Sequence, residues 1–203
     1  RGEKLGDALT THQDVPIVSF TGGSDTGKHI SKVTAPYFKK LSLELGGKNP
    51  NIIFDDCDFD KAVSTASRAA FTNRGQICLC GSRVFVQNKI YEKFKSALVD
   101  KAKKLIVGDP KNSNSHLGAV VSEEHMNKIL LKINEAKKLG GILLCGGERL
   151  ILEGELKNGY YIQPTVFENL AYDCSINNEE IFGPVVKLIP FAVSYTHMTL
   201  PTK

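Results

Sequence analysis

Apolar positions along the chain recur with two different periods, and each stretch shows its element by the period it keeps. Val15-Pro16-Ile17-Val18-Ser19-Phe20 has the length and β-branching of a buried strand. It breaks into the turn Thr21-Gly22-Gly23-Ser24-Asp25-Thr26-Gly27, and a helix-compatible stretch follows from Lys28 to about Ala35, where Pro36 ends it. Leu41-Ser42-Leu43-Glu44-Leu45 alternates like a strand and stops at Gly46-Gly47, and Asn51-Ile52-Ile53-Phe54 is a further short strand. From Asp58, a good N-cap, the residues Phe59, Ala62, Val63, Ala66 and Ala70 recur at helical spacing. Tyr91, Phe94, Leu98, Ala102 and Leu105 form a second helical stripe, and Met126, Ile129, Leu130 and Ile133 a third, closed by Gly140-Gly141. Strands fall around Arg83–Gln87, Ile142–Cys145, Tyr160–Phe167 and Val185–Phe191. Strand and helix alternate throughout, which predicts an α/β architecture with mostly parallel pairing.

Composition narrows the class without naming a function. A length of 203 residues allows one domain or one and a fraction. Hydrophobic and charged fractions of 41% and 24% are ordinary for a globular chain and exclude a disordered, collagenous or coiled-coil protein. No apolar run approaches the ~18 residues of a membrane span. The net charge of +4 names no polyanionic partner. The lysines between Lys89 and Lys104 lie off the apolar stripe and alternate with Glu92 and Asp100, so they read as a solvated helix face rather than a nucleic-acid patch. Five cysteines, an odd number at irregular spacing, argue against a disulfide framework and for a reducing, cytoplasmic setting. The chain opens at Arg1 and its first methionine is Met126, so it is expected to be a piece of a longer protein with an incomplete domain.

Three places could carry chemistry. Strand, Gly22-x4-Gly27-Lys28, then helix is nearly a P-loop, but the hydroxyl residue that ligates magnesium is replaced by His29. A phosphate contact at this helix N-terminus and a plain sharp turn remain equally open. Cys78, flanked by Ile77 and Leu79, is either a buried inert thiol or a nucleophile with a lowered pKa. The preceding Asn73-Arg74-Gly75-Gln76 reads as a loop entering a helix, which would suit the second role. No second pair accompanies Cys78 and Cys80 at zinc-ligand spacing. Glu44 closes a leucine-rich strand, as an edge charge or as a base in a partly apolar pocket.

Together these segments resemble the aldehyde dehydrogenase superfamily. Phe20-Thr21-Gly22…Gly27, Leu43-Glu44-Leu45-Gly46-Gly47-Lys48-Asn49-Pro50, Gly75-Gln76-Ile77-Cys78 and Glu179-Glu180-Ile181-Phe182-Gly183-Pro184-Val185 occur in its order and at its spacing. Ile77-Cys78-Leu79-Cys80 is most similar to the 2-aminomuconic semialdehyde dehydrogenase branch. The resemblance implies that Cys78 is the catalytic thiol, with its backbone N–H as one arm of an oxyanion hole, and that Glu44 is the general base for hydrolysis. It implies that Gly22, Gly23, Ser24 and Gly27 form the turn for the phosphates of NAD or NADP. Glu180 would then hold the nicotinamide ribose, with Phe182 beside it. Cys80 is left as a structural cysteine.

The same resemblance predicts what this chain lacks. Upstream these are the first Rossmann strands, the lysine on the adenosine ribose and the asparagine of the oxyanion hole. Downstream they are the rest of the catalytic domain and the strand used in homo-oligomers. Residues 1–46 are expected to end a cofactor domain, 47–191 to form a truncated catalytic domain, and 192–203 to be a tail foreign to the family. An open sheet edge and an uncovered face predict poor solubility of the isolated chain. A small aldehyde is the expected partner, and the alternatives are a P-loop-like nucleotide-binding module or a non-catalytic scaffold.

Overall fold

Gly46-Gly47 ends more than a strand. The structure, a computed structural model that describes residues 2–192, divides into two compact units, the first closing at Gly47 and the second opening at Lys48.

The first unit runs α1 (Gly2–Thr10), β1 (Ile17–Gly22), α2 (Ser24–Thr34), a 3-10 turn at Ala35–Tyr37, and β2 (Lys40–Leu45). β1 and β2 pair in parallel, from Ile17 opposite Lys40 to Gly22 opposite Leu45, with α2 as the crossover between them. Alternation holds along β2, where Leu41, Leu43 and Leu45 are half-buried and Lys40, Ser42 and Glu44 are exposed. α2 departs from the expected start at Lys28, because the chain turns into helix directly after Gly23. Asp25, Thr26 and Gly27 are therefore helical, and no loop long enough to wrap a triphosphate exists here. That corrects the P-loop-like alternative. α1 had no signal in sequence: Gly2 and Gly6 lower its propensity, and its Leu5 and Leu9 are exposed.

The second unit contains β3 (Pro50–Ile53), α3 (Phe59–Phe71), β4 (Arg83–Gln87), α4 (Tyr91–Lys103), α5 (Glu123–Lys138), β5 (Ile142–Cys145), β6 (Arg149–Leu150), β7 (Tyr161–Ile162), β8 (Thr165–Glu168), α6 (Ser175–Asn178) and β9 (Val185–Phe191). Its five-stranded sheet has the order β3-β4-β9-β8-β5, parallel except where β5 runs antiparallel to β8. β6 and β7 form a separate antiparallel pair. The stretch expected as one strand over Tyr160–Phe167 is two, because Pro164 removes a ladder donor between them.

Side chains on alternate positions of the sheet feed two cores. Val166, Val186 and Leu188 join Val84, Val86, Ala66, Phe71, Phe94 and Leu98 between the strands and α3/α4. Phe167 and Val185 point the other way, to Met126, Ile129 and Ile133 of α5. Full burial of each such side chain contributes ~1.5–3 kcal/mol. The Asp58 side chain accepts from the N–H of Lys61 at 3.2 Å and so caps α3 as its residue type suggests. Along α4, Lys93, Lys101 and Lys103 are exposed, while Lys95 pairs with Glu168 at 3.1 Å.

Candidate active site

In the first unit the signature residues gather at the carboxyl ends of the parallel strands, the edge where α/β sheets bind ligands. Gly22 ends β1, and Glu44 lies opposite Thr21 on the exposed face of β2. Glu44 is thus solvent-facing and not set in an apolar pocket. Gly23 occupies the N-cap of α2 and supplies no side-chain hydrogen bond, so the first-turn N–H groups stay open. Ser24 begins the helix, and the exposed carboxylate of Asp25 beside it sits 3.6 Å from Lys28. Gly27 plays a different part: it faces Leu45, and a Cβ there would collide with that side chain. Its lack of a side chain lets α2 lie close against β2.

In the second unit α3 stops at Phe71, and the chain enters a turn over Thr72–Gly75. Asn73 (φ 50°), Arg74 (φ 61°) and Gly75 (φ 69°) are all left-handed. Each of the non-glycine positions costs on the order of 1 kcal/mol. The side-chain amide of Asn73 donates to the Gln76 carbonyl at 2.9 Å, and the Gln76 N–H donates back at 3.0 Å. Cys78 follows, exposed, in a turn closed by the Cys80 N–H on the Ile77 carbonyl at 2.9 Å. The chain then runs into β4, so the expectation that this loop enters a helix is corrected: a helix precedes Cys78 and a strand follows it. Cys80 points inward, its thiol 3.4 Å from the Ala70 carbonyl, and burial pushes it up to about 11.

This turn is locked to the Glu179–Pro184 segment. A Cβ on Gly75 would overlap the Gly183 carbonyl oxygen, and one on Gly183 would strike Ile129 of α5. Only glycine permits so close an approach. Phe182 is itself left-handed (φ 54°), and His125 holds its carbonyl through Nε2 at 2.7 Å, with the two rings edge to face. Glu179 is engaged by Lys132 at 2.6 Å, whereas its neighbour Glu180 is exposed and has no ion pair among the described residues. Behind both segments lies Lys48, which burial lowers to about 8, with Cys80 and Glu180 opposing that shift and Arg83 adding to it.

The sequence matches the aldehyde dehydrogenase family over residues 1–198. The chain belongs to that family. It is 41% identical to 2-aminomuconic semialdehyde dehydrogenase of Bos taurus over 192 residues, which is 94% of this chain and 39% of that protein. It is 44% identical to 4-trimethylaminobutyraldehyde dehydrogenase A of Danio rerio, over 94% of this chain and 38% of the relative. Among solved structures, betaine aldehyde dehydrogenase from Staphylococcus aureus in complex with NAD+ superposes with a TM-score of 0.91 at 44% identity, covering 95% of this chain and 38% of that one. The chain thus spans about two fifths of the length of these relatives.

In this member of the aldehyde dehydrogenase family each unit, taken by itself, carries groups that suit part of a dinucleotide. Uncapped N–H groups at the start of α2 can donate to phosphate oxygens, and no atom lies within 4 Å of where a Cβ on Gly23 would be. The exposed carboxylate of Glu180 can accept from ribose hydroxyls. Sequence reading missed His125, whose only local signal is a place in the first turn of a capped helix; its partner lies 57 positions away. The residues 193–203, which include all but the first of the expected foreign tail, lie outside the described residues.

Proposed function

We propose that the intact protein oxidises an aldehyde to a carboxylic acid with NAD or NADP. The observation that carries this reading is the exposed thiol of Cys78, three residues after a left-handed turn whose Gly75 is interlocked with Gly183 of the segment that bears Glu180 and Phe182. Cys78 Sγ, entering each cycle as thiolate, forms a bond to the carbonyl carbon and the carbonyl electron pair moves to oxygen, where the Cys78 N–H is one donor to it. The α2 N-terminus with Gly22, Gly23 and Ser24 would hold the cofactor phosphates, and Glu180 and Phe182 its ribose. When bound, the cofactor accepts the hydride that leaves the substrate carbon, which becomes the carbon of a thioester on Cys78. Glu44 takes a proton from the water that attacks this thioester, the C–S bond breaks, and Cys78 is released as thiolate. The intact protein is read as a cytoplasmic homo-oligomer. Among the described residues no helix is long and apolar enough to cross a membrane.

For substrate, the Ile77-Cys78-Leu79-Cys80 segment favours a semialdehyde such as 2-aminomuconic semialdehyde. The test is reduced-cofactor formation by the intact protein, offered a carboxylate-bearing semialdehyde and a quaternary ammonium aldehyde side by side. Faster turnover of the second would overturn the semialdehyde assignment and leave the reaction class standing. Glu44→Gln should keep a first burst of reduced cofactor and slow later turnovers by about 100-fold. Loss of the burst itself would remove Glu44 from the hydrolytic role.

A further inference from the structure

The Cys78 thiol has no helix N-terminus ahead of it, so its aim must come from elsewhere. The peptide that follows it is held by one side chain. Asn49 Nδ2 donates to the Cys78 carbonyl at 2.6 Å. Cys78 and Leu79 are the two central residues of the turn from Ile77 to Cys80, and the carbonyl of the first central residue of such a turn normally faces solvent. Here it is anchored, which fixes the ψ rotation of the cysteine itself.

Asn49 is in turn held before it reaches Cys78. Pro50 restricts it to extended backbone. The Arg83 N–H donates to the Asn49 carbonyl at 3.4 Å, the Arg83 guanidinium donates to the Lys48 carbonyl, and Pro50 pairs with Arg83 in the parallel ladder. Gly81, between cysteine and strand, is packed so that a Cβ would meet Ala69 and Asn51. The Lys48–Pro50 segment is therefore strapped to β4 at one end and reaches back to the nucleophile turn with its one free amide.

We infer that Asn49 is a positioning residue for Cys78: its side-chain amide sets the orientation of the thiol for attack, and it touches neither substrate nor cofactor. The inference rests on the reading of Cys78 as nucleophile. It gives the sequence Gly47-Lys48-Asn49-Pro50 a part in the acylation step, separate from the role of Glu44 a few residues earlier.

The test uses the intact protein with Asn49→Asp, which keeps the shape and removes the donor, and Asn49→Ala. Single-turnover formation of reduced cofactor is measured per folded molecule, with the folded fraction read from the amplitude of a cooperative unfolding transition so that unfolded molecules do not enter. Both variants are expected to slow this step by about tenfold while the KM for NAD stays within about twofold, since misaimed groups lose rate before they lose ground-state binding. A single-turnover rate per folded molecule within about twofold of wild type in both variants would overturn the inference. So would a rise in the NAD KM that matches the loss in rate, because that pattern reports general loosening. Cys78→Ser is run alongside. If it keeps turning over, the nucleophile reading falls. If it is dead while the Asn49 variants behave as wild type, only the role of Asn49 falls.

Discussion

Both units carry signature residues, on very different foundations. In the first, among the described residues, Val18 and Ile30 are the large apolar side chains that are buried, while Leu5, Leu9, Ile17 and Tyr37 are exposed and Phe38 is 95% exposed. Its sheet is a single parallel pair, a pairing normally found with both faces covered. In the second unit, a five-stranded sheet separates two apolar clusters, and Phe94, Leu98, Ile129, Ile133, Val84 and Leu188 are wholly inaccessible. Residues for chemistry can thus be present in a segment that buries little of its own. What the first unit presents is a strand-end arrangement; what the second presents is an exposed thiol beside a well-buried core.

That contrast can be broken in three places. The largest effect is expected at Cys78. Cys78→Ser in the intact protein should lower turnover at least ~1,000-fold, because the hydroxyl is a far poorer nucleophile than the thiolate. Cys78 is exposed, so the thermal midpoint should not move, and a calorimetric scan beside the assay checks both halves. Equal losses of turnover and of stability would mean that Cys78 is part of the core.

The next effect concerns stability alone. Phe94→Ala, at a fully buried position, should destabilise the second unit by ~3–5 kcal/mol. Phe38→Ala, in the first, should change stability by less than ~0.5 kcal/mol in the same 203-residue chain. Urea titrations of both variants decide it, and similar shifts in midpoint would dissolve the distinction between the units.

The smallest effect is with pH and belongs to the second unit. Burial depresses both Lys48 and Lys187 to about 8, although Lys187 donates to the Leu170 carbonyl at 2.6 Å. Between pH 8 and 9 the unfolded chain then binds more protons than the folded one, so stability should rise with pH across that window. Above pH 9 the raised Cys80 thiol works in the opposite direction, since the folded state keeps a proton that the unfolded state has lost. Lys48→Met should flatten the rise between pH 8 and 9. A profile that falls there in the wild-type chain would contradict the burial of these ammonium groups.

How much of this was legible beforehand depended on the range of the interaction involved. Strand limits at Arg83–Gln87, Ile142–Cys145 and Val185–Phe191, the Asp58 cap, and the stripes of α3, α4 and α5 could be read because their periods repeat within a few residues. Motif order and spacing already pointed to the family that the matched residues 1–198 establish. The start of α2 could not be read, because glycine, serine and aspartate serve a turn and a helix N-terminus equally well.

What the sequence determined by itself, then, was the α/β class, the family and the residue types available for chemistry. Tertiary structure alone decided that β5 runs antiparallel. It also decided which backbones meet: Gly75 against Gly183, His125 on Phe182, Asn49 on Cys78. The reason is geometric. Periodicity records which face of its own element a residue occupies, whereas these contacts join positions 29 to more than 100 residues apart, and nothing in either local pattern names the partner.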